Sequence, residues 1–443
     1  MRIALVGGGR VGFHLARLLS IENHDITVIE TDRNVLEQID YELDVSTVRG
    51  NAVSVILLRE SGVANADLFI SATGDDEINL IAAATAKGLG AKQVVARVDN
   101  PIYIESIILY ETSLGIDYIL SPNALTAVEI AKYIETPGLV ATEDFGRGLI
   151  QMRQIKIGRH PLQGSTIREM TLPDGVLIGM ISRRGESFVA HGGSTVEPGD
   201  LVTCIGKREA LAGVHKVLQG QEPKAEKIAV MGGGNIGFHL AQIIENRYPV
   251  VKLFDRDLKR CNYLAAELRH AKVVCRDATT RVALEQEHVA GADAFVATTR
   301  DDEHNIMAGI LAKEVGAQRT IAVVHQPDFA PLVGRLGIDH AVTPRASFAN
   351  RILKLVHQEK MSSSATIGDG QVQLLEFTAN GRSAITGRPL REVRLPQEAL
   401  VAALIRGNDV IIPSGSTSVQ EGDGVILLVR GNQLNAALRL FQR

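Results

Sequence analysis

The segment that opens the chain, MRIALVGGGRVGFHLA, returns from Glu226 as EKIAVMGGGNIGFHLA, with Gly232 standing 225 positions after Gly7. A repeat at that spacing commits both halves to one supersecondary plan, and it excludes a single hydrophobic core spanning all 443 residues. The correspondence runs on through Glu30-Thr-Asp32 and Asp255-Arg-Asp257, then Gly50-Asn-Ala52 and Arg276-Asp-Ala278. It continues in ATGDDEIN from Ala72 and ATTRDDEHN ending at Asn305, and in the two LGID stretches at Leu114 and Leu336.

Within the first half, apolar runs at residues 3–6, 26–29, 68–72, 94–98 and 118–120 have the composition of strands buried on both faces. They alternate with segments of helical period, whose starts fall near Val11, Asp32, Ser54, Asp76, Pro101 and Asn123, several with a capping residue or a first-turn proline. That alternation predicts an α/β fold, a duplicated Rossmann-type doubly wound parallel sheet, over residues 1–135 and 225–355. Each copy is followed by a small β-rich (α+β) domain, at residues 145–220 and 366–443, with turn signals at Gly158-Arg-His-Pro-Leu162, Val196-Glu-Pro-Gly-Asp200, Thr386-Gly-Arg-Pro-Leu390 and Gln420-Glu-Gly-Asp423. The stretch MSSSATIGDG reads as the linker before the last of them.

The glycines at Gly7, Gly9 and Gly12 fit G-x-G-x-x-G directly after a strand and at the opening of a helix, the context in which that spacing has meaning. Gly7 permits the tight turn, Gly9 lets backbone approach a diphosphate, and Gly12 allows helix to pack on strand; Gly8, Arg10 and Val11 complete the loop. Glu30, at the end of the second strand, is placed to accept both hydroxyls of an adenosine ribose. A carboxylate there repels a 2′-phosphate, so NAD(H) or another adenine nucleotide such as ATP or ADP is favoured over NADP. The second copy offers Gly232, Gly233, Gly234, Asn235, Ile236 and Gly237, with Asp255 as its acid. Asp255 is shorter than Glu30 and Arg300 replaces Gly74, so the two sites need not prefer the same ligand.

Thr73 and Thr299 lie at the carboxyl end of the fourth strand, within reach of a bound nucleotide. The runs that follow, Asp75-Asp76-Glu77 and Asp301-Asp302-Glu303-His304, fit either helix caps or a divalent-cation site, the cap being the more ordinary use. His14 and His239 could approach the diphosphate or simply pack on a helix face. Cys204, Cys261 and Cys275 form no Cys-x-x-Cys pair and have no histidine at metal-ligand spacing, which reads as buried thiols in a reducing compartment with no metal.

A net charge of -4, 4% aromatic residues and no tryptophan leave neither a basic footprint nor stacking platforms, so nucleic acid is not an expected partner. The sequence enters a strand directly after Met1 and contains no apolar run of membrane-spanning length, which predicts a cytoplasmic protein. Catalysis beside a dinucleotide requires an acid/base group with an orienting partner, and no such pair recurs between the halves. His160 and His191 are not repeated. Arg97-Val-Asp and Val323-Val-His, at the fifth strands, are the nearest polar groups to the crevice. No catalytic residue is assigned.

The GGGRVG and GGGNIG loops, the two acid positions, the stretches at Thr73 and Thr299, and the modules marked by GRHPLQGS and GRPLREV together resemble the regulator-of-potassium-conductance (RCK) family, over nearly the whole chain. Tandem large-small pairs resemble its Trk-type potassium-uptake regulators. The resemblance implies a cytoplasmic regulatory subunit, assembled as a homo-oligomeric (homotetrameric) ring. That ring would sit peripherally at the inner face of the membrane, docked on a TrkH-like potassium-translocating subunit and gating it in response to NAD(H), ATP or ADP. It further implies that Gly7 to Val11, Glu30, Thr73, Gly74 and Val98 line one site, and Gly232 to Ile236, Asp255, Thr299, Arg300 and Val324 the other. An NAD-dependent oxidoreductase, and a redox or energy sensor acting on a soluble partner, are the alternative readings. The apolar segments 102–114 and 125–134 fit either subunit contacts or cover for a sheet.

Overall fold

The computed structural model describes residues 1–430 except 23, 137, 158–164, 185, 220–224, 327–328, 360–363, 368–371, 382 and 397; beyond 430 it describes 433, 436, 437, 439 and 440. His160, most of the GRHPLQGS stretch and most of the MSSSATIGDG stretch lie outside the described residues.

The chain forms two compact units, Met1–Ile134 with Ala225–Val356, and Glu135–Lys224 with His357–Arg443. In the first unit, strands β1 (Arg2–Val6), β2 (Asp25–Glu30), β3 (Ser46–Arg49), β4 (Leu68–Ser71), β5 (Gln93–Arg97) and β6 (Tyr118–Leu120) form a parallel sheet of order β3-β2-β1-β4-β5-β6. In the second unit, β7 (Leu139–Phe145), β8 (Ile150–Lys156), β9 (Val176–Arg183), β10 (Glu186–Val189) and β11 (Leu201–Lys207) form an antiparallel sheet of order β10-β9-β11-β8-β7. The pattern then recurs. A parallel sheet of β12 (Lys227–Met231), β13 (Val250–Asp255), β14 (Lys272–Cys275), β15 (Ala294–Ala297), β16 (Thr320–Val323) and β17 (His340–Val342) has the order β14-β13-β12-β15-β16-β17. An antiparallel one of β18 (Ser364–Ile367), β19 (Val372–Thr378), β20 (Ala399–Arg406), β21 (Asp409–Ile411) and β22 (Gly424–Arg430) has the order β18-β19-β22-β20-β21. The doubly wound fold expected for each half is therefore present, with the order reversing at β1/β4 and at β12/β15. At such a switch point the crossovers leave in opposite directions and open a crevice at the strands' carboxyl ends.

The two parallel sheets exchange their last helices. The helix Pro122–Glu135 buries Ala127, Ile130, Ala131 and Ile134, spaced i, i+3, i+4, i+7, in one cluster with Ile228, Val230 and Ile236 of the other half. Reciprocally, Pro344–Glu359 buries Phe348, Ile352, Leu355 and Val356 in the cluster that holds Ile3, Leu5 and Leu15. Each large side chain so buried contributes about 2 kcal/mol, so the exchange is a substantial part of what binds the halves into one unit. The helices also touch each other: the Ser347 hydroxyl donates to Glu129 Oε2 at 2.6 Å, and burial pushes the Glu129 carboxyl above its ordinary pKa despite that bond. Segment 125–134 thus covers a sheet, but the sheet of the opposite half. Segment 102–114 is divided: Tyr103, Ile104, Ile107 and Tyr110 pack partly buried against the core of their own half, while Ile102, Ile108 and Leu109 are 59%, 76% and 65% exposed and no residue of the helices Pro101–Glu105 and Ile107–Leu114 is fully buried.

In the second unit the two antiparallel sheets share a core in which Phe145, Met152, Met180 and Ile205 meet Leu374, Ala403, Ile426 and Leu428. Each sheet is pinned by a forked arginine-carboxylate pair at its last turn: Arg183 donates to Asp200 at 2.8 Å through both Nε and Nη2, and Arg406 to Asp423 at 3.0 and 2.8 Å. Both aspartates are buried, so the bidentate geometry is what makes the charge tolerable there.

Candidate functional site

The first crevice encloses about 590 Å3. Gly7 turns with φ +96°, a conformation reserved for glycine, and a Cβ on it would stand 2.9 Å from the carbonyl oxygen of Ala72 and the amide of Thr73. Gly12 is packed still more closely, its notional Cβ lying 1.8 Å from the Gly7 oxygen. Gly9, by contrast, has open space where a Cβ would be and caps the helix Arg10–Ile21 without a side-chain bond. Gly9 therefore places no side chain of its own between the first turn of that helix and the cavity, the arrangement that receives a phosphate.

Glu30 lines the same crevice from the end of β2. Its Oε2 accepts the Gly8 amide at 2.6 Å, and its Oε1 accepts the Thr31 amide at 2.6 Å, the Thr31 hydroxyl at 3.0 Å and the Asp32 amide at 3.1 Å. Burial acts to raise this carboxyl's pKa. The bonds from Gly8, Asp32 and Thr31 outweigh burial and hold it below the ordinary carboxylate range.

The second crevice, of about 740 Å3, repeats the plan. Gly232 has φ +100°, Gly234 faces open space, and a Cβ on Gly237 would fall 1.9 Å from the Gly232 oxygen. Asp255 Oδ2 accepts the Gly233 amide at 2.8 Å and Oδ1 the Asp257 amide at 2.8 Å. The walls differ from the first in charge: Arg256, Arg260, Arg276 and Arg300 face Asp255, Asp277 and Asp301, where the first has Arg10 and Arg97 against Glu30 and Asp75. Arg260 is held over the Phe238 and Tyr263 rings, at 5.6 and 4.8 Å, and donates to the Gly233 carbonyl at 2.6 Å. Gly74 has nothing within 4 Å of its notional Cβ, so the equivalent position accepts Arg300 without crowding.

Of the residues expected at the sites, Gly7, Gly9, Arg10, Val11, Glu30, Thr73 and Gly74 line the first crevice. Gly232, Gly234, Asn235, Ile236, Asp255, Thr299 and Arg300 line the second. Gly8 and Gly233 instead anchor the acids, and Gly12 and Gly237 seat the helix on the loop. Val98 and Val324 are placed elsewhere: both side chains are wholly buried in the core, and their neighbours Arg97 and His325 stand on the walls. Successive residues leaving a strand point to opposite faces, so one position separates core from cleft. His14 and His239 do not line the crevices; burial first of all lowers the pKa of both rings.

The acidic runs are structural. Asp75 and Asp301 cap their helices through the Ile78 and His304 amides, at 2.8 and 2.9 Å. Asp76 accepts the Asp99 and Asn100 amides, and Asp302 those of His325 and Gln326 together with His325 Nδ1 at 2.8 Å. Two residues with no role assigned from sequence hold the same region. The fully buried Asn79 accepts the Thr73 amide and hydroxyl, both at 2.8 Å, and donates to the carbonyls of Thr73 and Arg97, at 3.2 and 3.0 Å. Asn305 does the same with Thr299 and Val323. The threonine hydroxyls therefore point into this clamp. Recurrence of the asparagine six positions after each threonine was the available signal.

The crevices are also joined. Asp99 pairs with Arg97 on the first wall, while its carboxylate accepts from Asn123 Nδ2 at 3.2 Å and its carbonyl from Asn235 Nδ2 at 2.9 Å. Asn123 and Asn235 both line the second crevice.

Two glycine-loop crevices in helix-exchanged Rossmann halves, each half followed in the chain by a β module, define a duplicated dinucleotide-fold class of architecture. The TrkA-N domain family matches residues 3–122 and 228–344, and the TrkA-C domain family matches residues 374–442. A Trk system potassium uptake protein TrkA homolog of Archaeoglobus fulgidus is 33% identical over the full length of both chains. The chain belongs to the TrkA family of Trk system potassium uptake proteins. Among solved structures, the GsuK RCK domain covers the whole chain at TM-score 0.63 and 22% identity, with 95% of its own length matched. The GsuK channel bound to NAD covers 99% of the chain at TM-score 0.62 and 21% identity, with 78% of its own length matched.

Proposed function

We propose that this chain is the nucleotide-responsive, non-catalytic regulatory subunit of a potassium-uptake system, binding NAD(H) or an adenine nucleotide in each crevice and gating a TrkH-like integral membrane partner from the cytoplasmic side. The observation that carries this reading is the direct connection between two open crevices, Arg97 to Asp99 to Asn123 and Asn235, which suits signalling between sites better than independent chemistry at each. A ligand shifts a conformational equilibrium only through its differential affinity for the two states, and a joined pair of sites lets two ligands bias one equilibrium. The NAD of the GsuK channel supports a dinucleotide as one ligand. The more cationic second crevice suits a nucleotide of higher phosphate charge, ATP or ADP. No helix among the described residues is long and apolar enough to cross a membrane, which fits a regulator that acts on ion flow through a separate membrane subunit. In liposomes carrying the membrane subunit, added protein should make potassium flux depend on NADH and ATP. Flux indifferent to both would end this reading.

The exposed apolar residues Ile102, Ile108 and Leu109 support assembly into a homo-oligomeric ring, since monomers rarely leave such a patch in water. Light scattering should return a multiple of the chain mass, a tetramer for the ring, and Leu109→Asp should reduce it. A wild-type monomer would contradict the ring.

One feature favours a second reading as an oxidoreductase. His325, on the second wall, is oriented by the Asp302 carboxylate as a catalytic imidazole would be. Oxidation of NADH by the purified chain with small carbonyl substrates, lost in His325→Ala, would support that reading.

A further inference from the structure

Cys261 and Cys275 are fourteen positions apart in sequence, yet both meet the same residue. Cys261, buried on the helix Leu258–Glu267, donates its thiol to the Asp255 carbonyl at 3.3 Å. Cys275, exposed at the end of β14, is the register partner of Asp255 in the parallel pairing of β13 with β14. The two thiols meet beside the acid of the second crevice, within side-chain hydrogen-bond reach of each other. The residues next to them, Arg260 and Arg276, line that crevice.

We infer that Cys261 and Cys275 are a dithiol that closes reversibly to a disulfide and thereby resets the second crevice alone. Its effect on nucleotide affinity rests on the reading above; the disulfide itself does not. In the first half the corresponding positions are Leu36, whose backbone amide donates to the Asp32 carbonyl as the Cys261 amide does to that of Asp257, and Arg49, the register partner of Glu30. Neither can be oxidised in this way, so the chemistry belongs to one half.

The oxidant is a low-molecular-weight disulfide, RSSR. The Cys275 thiolate attacks one sulfur of RSSR and RS− leaves, forming a mixed disulfide on Cys275. Cys261 then gives up its proton and its sulfur attacks the Cys275 sulfur, expelling the second RS−. The net change is two protein thiols and one RSSR to one protein disulfide and two RSH. Burial and the adjacent Cys275 push the Cys261 thiol up to about 12, so it stays protonated at neutral pH and the exposed Cys275 is the thiol that reacts first with RSSR. Closure removes the S–H that holds the Asp255 carbonyl and ties the helix to β14. Asp255, Arg260 and Arg276 must then move together.

The test uses the full chain treated with oxidised or reduced glutathione, mapped by peptide mass spectrometry and titrated with NADH and ATP. The expected result is a Cys261–Cys275 cross-link lacking two hydrogens and reversed by dithiothreitol. It should come with a shift of roughly 5-fold or more in second-crevice affinity, measured in a Glu30→Ala background and absent when Cys275→Ser is added. A glutathione adduct on Cys275 with no cross-link would overturn the dithiol, and a cross-link that leaves the affinity unchanged would overturn its control of the crevice. If the reduced protein binds neither nucleotide, the nucleotide reading fails while the peptide map still decides the disulfide.

Discussion

Replacing Asn79 by alanine is expected to cost the first Rossmann half about 4 kcal/mol and to abolish nucleotide binding there. The side chain is fully buried and satisfies the Thr73 amide, the Thr73 carbonyl and the Arg97 carbonyl at once. Its removal leaves several buried backbone groups unpaired at about 1–3 kcal/mol each, and adds a cavity that alanine cannot fill. Water entering the cavity would recover part of this, which is why the sum stays near the lower end. Asn79→Asp preserves the acceptor facing Thr73 but removes both donors and buries a charge, so it should be no better tolerated. Hydrogen exchange at residues 73–79 reports the local effect, and calorimetry with NADH the functional one. Protection within about 1 kcal/mol of the parent would contradict the clamp. Asn305→Ala should damage the second half and leave the first intact.

That clamp also marks the boundary of what could be read from sequence. The glycine loops, the acids and the strand-helix alternation follow from local rules: a positive φ at Gly7, a helix seated against a glycine at Gly12, and buried strands that read as apolar runs. β3 did not stand out, because Ser46–Arg49 is a short edge strand with exposed ends and lacks an apolar run. The helix exchange left no trace, since the spacing of Ala127, Ile130, Ala131 and Ile134 is identical whether the helix covers its own sheet or another. Arg97 and His325 belong to the polar stretches legible at the ends of the fifth strands, whereas Val98 and Val324, implied by the family resemblance, lie one residue of register away on the core side. The meeting of Cys261 with Cys275 depends on a helix packing over the neighbouring strand, which no linear spacing encodes.

Glu30→Ala and Asp255→Ala should silence the halves separately, and Asp99→Ala should separate them. In the proposed binding mode an adenosine ribose would engage Glu30 through two charge-assisted hydrogen bonds, and losing them is expected to cost about 3 kcal/mol, roughly 150-fold in affinity for NADH at the first crevice. The shorter Asp255, which accepts two amides where Glu30 accepts three and a hydroxyl, is less firmly oriented, and its loss should cost less. Acid provides an independent check. Because Glu30 titrates below the ordinary carboxylate range in the fold, it remains charged as pH falls into that range; first-crevice affinity should be lost as pH falls through the depressed value, and the carboxylate's contribution to stability, full above the ordinary value, should drain away progressively from there down through the depressed one. With both sites intact, NADH in the first crevice should change ATP affinity in the second, and by reciprocity ATP should change NADH affinity by the same factor, of order 5-fold or more. Asp99 touches the first wall through Arg97 and the second through Asn123 and Asn235, without lining either crevice itself. Asp99→Ala should therefore bring that factor towards one while both crevices still bind. If the factor survives unchanged in calorimetric titrations of the variant, the coupling runs through the exchanged helices instead, and Ser347→Ala, which breaks their contact at Glu129, becomes the substitution that abolishes it.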